Sequence, residues 1–547
     1  MPNWTARKGA RKGHPTGRPE AIDTRLRYSD SYSAGSYTMN KTSTFVFASL
    51  LLFGTILQAG EAIQIGSRRE LFVDRFLIEK LENARLTLHQ PRPRKVAIKF
   101  DQPWEGNSSG YPTVIRDGGL FRMIYAGHRM TWASGKLQMS HSPVVCYAES
   151  RDGITWTKPN LKRFPLLGKM ARQVSNPLNN NIVWPGSSYS GTFVPFLDRR
   201  PGCPRSEKFK AVGGDRNTGL HLFTSPDSIN WKKREKAIFK QGALDSMNVV
   251  FWEPRSRRYV LYFRTVVKRM RSVSMTTSAD LLNWSKPLPL QYPGSPRQQM
   301  YTNGIEPYYR ARHIRFGFPT RYTARQMTPE LQSLPPVKLR AKLTAAYARV
   351  GSDLTDGLFM SSRDGIRFRR WDEAFLRPGP QASSSQSNWM YGDNFQNYGL
   401  FETASKIQGA PNEISMLFSE GYWREGAARL RRYTIRLDGF VSVKAPFAGG
   451  TLITKPLMFA GDRLTINFST SAAGSLRVEM QDAAGKPIPG YTLKDCNEII
   501  GDSVQHVVRW KTKTDVTTLA QQPIRMRFVM KDADLFSFQF TSKKTKR

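Results

Sequence analysis

Cysteine is scarce in this chain: three residues in 547, Cys146, Cys203 and Cys496, with no C-x-x-C spacing. That excludes a disulfide framework and a thiolate metal site, and leaves Cys146 with Cys203 as the candidate pair for a single bridge. The seven histidines have no paired spacing, so neither a metal nor another cofactor is expected, and no phosphate loop, dinucleotide fingerprint or G-x-S-x-G elbow is expected either. Acidic residues are few as well, 43 against 83 lysines and arginines, for a formal net charge of +40. Such a field attracts polyanions, anionic polysaccharides among them. The basic residues are scattered along strands and turns rather than gathered in one stripe, which disfavours a nucleic-acid binder.

The prominent apolar run, Phe45 to Leu57, has 13 residues, short of the ~18 that a membrane span requires. It follows Met39-Asn40-Lys41 and precedes Ala59, Gly60 and Ala62, which are the parts of a secretory signal peptide at 39–62. A secreted or periplasmic protein, without a transmembrane segment in its mature form, is expected. Residues 1–38 are polar and basic and are expected to be a disordered leader, with Met39 as the true start.

What the chain has in quantity is aromatic β-structure. Ser150-Arg151-Asp152-Gly153-Ile154-Thr155-Trp156 returns in degraded form at Ser225–Trp231, Ser278–Trp284 and Ser362–Phe368. In each copy an apolar residue stands two positions after the Asp and an aromatic one four after, the period of a strand leaving a turn. A weaker fifth copy, Tyr433 to Phe440, has Ser442 where the aromatic should be. Aromatic second strands recur ahead of these hairpins at 121–125, 209–212, 259–263, 314–318 and 414–418. Self-similar four-stranded units at this spacing predict an all-β fold, a five-bladed β-propeller over residues 66–445. Arg69 to Ile78 is expected to pair with its last blade. Thr328 to Gly351 reads as a short surface helix inserted in blade four, and Pro378 to Ser387 as a loop before blade five. From 446 to 541, short alternating strands between Gly, Asp and Pro turns predict a β-sandwich, ending in a basic tail at 542–547.

A propeller gathers the starts of its inner strands around one axial funnel, and the polar residues just ahead of those strands are the candidate site. Asp245, Glu306 and Asp393 are the candidate catalytic carboxylates, since glycoside hydrolysis needs a proton donor and a base or nucleophile within roughly 5–10 Å. Trp104, Glu105, Asn107, Asn248, Asn303, His313, Arg321 and Trp389 are candidates for binding a sugar. The aspartates of the repeated turn, Asp152, Asp227, Asp280 and Asp364, are assigned to structure.

The repeated turn, Asp245-Ser246-Met247-Asn248-Val249-Val250-Phe251-Trp252 and Phe316-Gly317-Phe318-Pro319-Thr320-Arg321 together resemble the secreted five-bladed propeller proteins related to glycoside hydrolase families 32 and 43. Arg436 to Ser442, leading into Thr454-Lys455-Pro456-Leu457, resembles the junction to their C-terminal sandwich, so the resemblance covers roughly 66–541. It implies a secreted glycoside hydrolase acting on a poly- or oligosaccharide, with acids on blades one to three. Here blade one presents Asn107 with Glu105 displaced, and blade two presents Ser190, so only Asp245 matches in type. The alternative is a propeller that binds glycans without cleaving them.

Overall fold

The computed structural model describes residues 62–542 apart from 134, 381–386 and 427. The expected leader, nearly all of the signal peptide, the serines of the loop before blade five and the tail from 543 lie outside the described residues.

Five four-stranded antiparallel sheets follow one another along the chain, and they are the blades of the propeller. Their innermost strands are Gly110–Asp117, Val194–Leu197, Val249–Glu253, Glu306–Pro307 and Phe401–Thr403. Blade five takes its outermost strand, Arg92–Lys99, from the N-terminal side of blade one and so closes the ring, pairing it with Arg429–Arg436. Closure covers an edge that would otherwise be open to aggregation.

The repeated turn does the same work in each of four blades. Asp152 Oδ1 accepts hydrogen bonds from the Ser150 hydroxyl (2.8 Å) and from the amides of Ile154 (2.7 Å) and Thr155 (2.8 Å). Asp227, Asp280 and Asp364 repeat this pattern with Ser225, Ser278 and Ser362. The turn then aims its aromatic residue into the gap between neighbouring blades. Trp156 joins a core with Phe401 and Leu430 of blade five, and Trp231 joins one with Ile124 and Tyr147 of blade one. The fifth copy has been put to another use. Asp438 is fully buried, takes hydrogen bonds from Tyr308 (2.6 Å), Arg310 (2.8 Å) and Ser537 (2.9 Å), and ties blades four and five to the C-terminal sheet.

That sheet has ten strands and is dominated by Arg463–Asp482 and Ile524–Thr541, which pair along most of their length. Four of the ten come from Ile63 to Leu88. Glu70–Leu71, expected beside the last blade, pairs instead with Phe538 and Ser537. The reason is burial: Ile65, Phe72, Leu77 and Ile78 fill the core under Phe528 and Phe538, so pairing this segment with blade five would strand them. The cysteines are free, and Cys146 sits within blade one with no bridge to Cys203.

The insertion in blade four is helical but not superficial. Pro329–Ser333, Val337–Ala346 and Ala348–Ser352 form three short helices. Thr328 caps the first, and Pro329 stands where a missing N–H is harmless. Leu343 and Val350 pack on Tyr301, Tyr322 and Tyr391. Arg340 is 1% exposed and donates to the carbonyls of Gly351 (2.7 Å), Trp389 (2.5 Å) and Leu334 (3.2 Å). The insertion therefore lies over the start of the inner strands.

Candidate functional site at the entry face

Where the inner strands begin, loops from blades three, four and five meet. The Ser246 hydroxyl donates to the Tyr301 carbonyl (2.6 Å), Asn303 Nδ2 donates to the Met247 carbonyl (2.8 Å), and the Tyr391 hydroxyl donates to that of Tyr301 (2.7 Å). Around them stand three guanidinium groups: Arg264 over Tyr301 at 5.0 Å, Arg271 over Tyr322 at 4.6 Å and Arg349 over Tyr391 at 4.9 Å. These contacts are cation–π attractions that also hold the rings upright.

Asp245 and Asp393 both belong to this face. Asp245 is ion-paired with Arg264 and keeps part of its surface open. Asp393 is fully buried; its Oδ1 accepts the Tyr422 amide (2.9 Å), while Oδ2 has no hydrogen-bond partner among the described residues and lies 3.7 Å from Arg424. Burial pushes the Asp393 carboxyl up to about 7, against the opposing pull of Arg424. Arg424 is itself buried, and none of its guanidinium nitrogens makes a hydrogen bond among the described residues. Asp353, a third acid here, receives the Tyr322 hydroxyl and is raised to about 6 by burial.

Glu306 does not join them. It lies three residues beyond Asn303, about 10 Å further along the strand, and accepts the amide of Leu400 (2.9 Å), seven residues past Asp393. It opens its short inner strand and lines a cavity that neither Asp245 nor Asp393 enters, so the fold does not gather Asp245, Glu306 and Asp393 around that cavity.

Several expected sugar-binding residues serve the scaffold. Trp104 is buried and donates to Asn181 (2.7 Å). Glu105 is buried between Tyr125 (2.5 Å) and Lys158 (2.7 Å) within blade one. His313 meets Glu70 at 3.0 Å, at the junction with the C-terminal sheet. Arg321 grips Asp356 with two nitrogens. Asn107 bridges Met130 (3.0 Å) and Glu425 (3.0 Å), Asn248 closes its own turn on Leu244 (2.8 Å), and Trp389 donates to Gly379 (2.7 Å). Asn107, Asn248, Asn303 and Trp389 nevertheless stand at the heads of inner strands and shape the entry face.

Arg264, Arg271, Arg349, Tyr391 and Arg424 carried no sequence motif. A signal existed for Arg264: Val249 pairs with Tyr262, so the end of the second strand runs back beside the residues before the first. Contrary to the expectation of no such motif, Gly106 to Gly110 has the G-x-S-x-G spacing of a nucleophile elbow, and Ser108 Oγ lies 2.7 Å from His128 Nδ1. Burial holds His128 down to about 3 and its Nε2 has no partner, so the pair lacks both a competent base and an orienting acid.

The backbone around this face is strained. Tyr111, Leu244, Asn394 and Trp423 all have left-handed φ, of 49°, 55°, 66° and 67°. For residues other than glycine this costs roughly 1–2 kcal/mol each.

No protein-family model matches the chain. It is similar to two curated relatives from Mycobacterium tuberculosis: uncharacterized protein Rv1502, 28% identical over 167 residues, and uncharacterized protein MT1551, 27% identical over 161 residues. Each match covers 28% of this chain and 46% of the relative, so the chain spans about half the length of the curated relatives it matches. Among solved structures it is similar to a glycoside hydrolase at 13% identity and a TM-score of 0.39, covering 64% of this chain and 93% of that one. It is also similar to the Bombyx mori GH32 β-fructofuranosidase BmSUC1 at 8% identity and a TM-score of 0.37, covering 84% and 95%. The catalytic domain of the Coprinopsis cinerea GH62 α-L-arabinofuranosidase is similar at 9% identity and a TM-score of 0.36, covering 63% and 97%.

Proposed function

We propose that this protein is a glycoside hydrolase working at the entry face of the propeller. Asp393 is the proton donor and Asp245 the second carboxylate. The observation that carries this is Asp393: a fully buried carboxyl ahead of the fifth inner strand, raised by burial to about 7, whose Oδ2 accepts no hydrogen bond among the described residues and lies 3.7 Å from Arg424. A proton donor to a glycosidic oxygen needs that state. Asp245, once Arg264 turns to a substrate group, supplies the opposite charge that stabilises or captures the sugar cation. Tyrosine faces and three arginines suit an acidic polysaccharide, in keeping with the net charge of +40. Export through the segment at 39–62 belongs to the proposal, and N-terminal sequencing of the mature protein tests it. No helix among the described residues is long and apolar enough to cross a membrane.

A second reading, a propeller that binds glycans without cleaving them, is favoured by one observation: Glu105 and Glu306 are both held away from the entry face. Reducing-end release from uronic, sulfated and neutral polysaccharides, with affinity electrophoresis in parallel, separates the two. Cleavage that Asp393→Asn and Asp245→Asn each abolish supports the hydrolase. Retention without cleavage supports the second reading, and cleavage untouched by both substitutions removes these acids from the mechanism.

A further inference from the structure

The inner layer carries a second opening, lined by neither Asp245 nor Asp393. Its cavity of about 260 Å³ has walls from all five blades, among them Phe196, Trp252 and Tyr398. Three arginines line it, Arg116, Arg199 and Arg312, and all three are exposed. None has a carboxylate within 4.0 Å among the described residues. Arg199 is held below the usual guanidinium range, first by partial desolvation and then by the charge of Arg312, against the opposing pull of Asp117; Glu402 also lines the cavity and is engaged by the Tyr309 hydroxyl (2.7 Å). Glu306 turns its remaining surface into the cavity. One oxygen accepts the Leu400 amide, and no cation stands beside the group.

The geometry points to a second ligand site in this opening, for a small organic carboxylate with a ring body, such as a free hexuronic acid. The carboxylate meets the arginines, where charge-assisted hydrogen bonds are strong and planar. The ring lies on the aromatic walls. Burial pushes the Glu306 carboxyl up to about 8, so below that pH it donates a hydrogen bond to the ligand instead of repelling it. The site is independent of the hydrolase reading, because binding here is measured without any turnover.

Calorimetric titration of the full chain with glucuronate, benzoate and glucose at pH 6 tests the inference. At least one carboxylate is expected to saturate while glucose does not. Arg199→Ala combined with Arg312→Ala is expected to weaken binding about tenfold or more; both side chains are exposed, so folding is not at stake. Wild-type affinity is expected to fall as pH rises through about 8, and Glu306→Gln to bind with a flat pH profile. Failure of both carboxylates to bind, or binding unchanged by the double arginine variant, overturns the inference. So does binding abolished by Asp393→Asn, which would place the ligand at the entry face.

Discussion

Replacing Asp393 by asparagine tests the central physical claim without reference to any substrate. In the folded chain the carboxyl is fully buried and raised from 3.8 to about 7. A raised acid binds its proton more tightly in the folded state than in the unfolded one, so wild-type stability falls as pH climbs from about 4 to about 7 and levels off above. At ~1.4 kcal/mol per pH unit the interval amounts to ~4 kcal/mol. Relaxation around Arg424 makes half of that a fair expectation. The asparagine amide has no proton to lose. The substitution also changes the contact with Arg424, which adds a constant offset at every pH and leaves the pH dependence untouched. Urea unfolding at pH 4, 5.5, 7 and 8.5 is the assay. The variant is expected to gain ~2–4 kcal/mol on the wild type between the first and third of these, with only about 0.4 kcal/mol more at the last. A difference that stays flat across the series would refute the reasoning, and the proton-donor assignment with it.

Glu70 titrates in the opposite sense. Burial raises it, but the close contact with His313 and the charge of Arg363 outweigh burial and hold it down to about 2. Its stabilisation is present above about 4.5 and is lost as pH falls toward 2, so Glu70→Gln is expected to be less stable at pH 7 and to lose less in acid, as thermal scans would show. Asp227→Ala removes four acceptor contacts from one repeated turn and is expected to lower stability by about 1–3 kcal/mol in denaturant. Arg340→Leu leaves three buried carbonyls without their donor; a loss of about 2–4 kcal/mol and faster proteolysis of residues 329–352 are expected. Gly392→Ala sets a methyl group against the Tyr422 ring at φ +99° and is expected to disturb the seat of Asp393, seen as a lower Tm.

The sequence alone determined the architecture, because a propeller is written in local chemistry. Each Ser-x-Asp turn binds its own backbone amides and launches an aromatic residue two strand periods later, so four copies in a row announce blades wherever they lie in space. The second strands and the alternating strands of the C-terminal sheet were legible for the same reason. Asp245 and Asp393 could be placed at the entry face by position, since both precede inner strands. Tertiary structure decided everything that depends on which segment meets which. Ile63 to Leu88 joined the C-terminal sheet because its apolar side chains fit that core, and Arg92–Lys99 was left to close the ring. Glu306 opens its inner strand yet lines the other cavity, a difference that a one-dimensional reading does not resolve. His313 and Asp438 became anchors of the junction only when Glu70, Arg69 and Ser537 arrived from the far ends of the chain. The raised ionisation ranges of Asp393 and Glu306 belong to this second class, for they arise from water excluded by neighbours hundreds of residues apart in some cases. Burial is a property of the assembled ring.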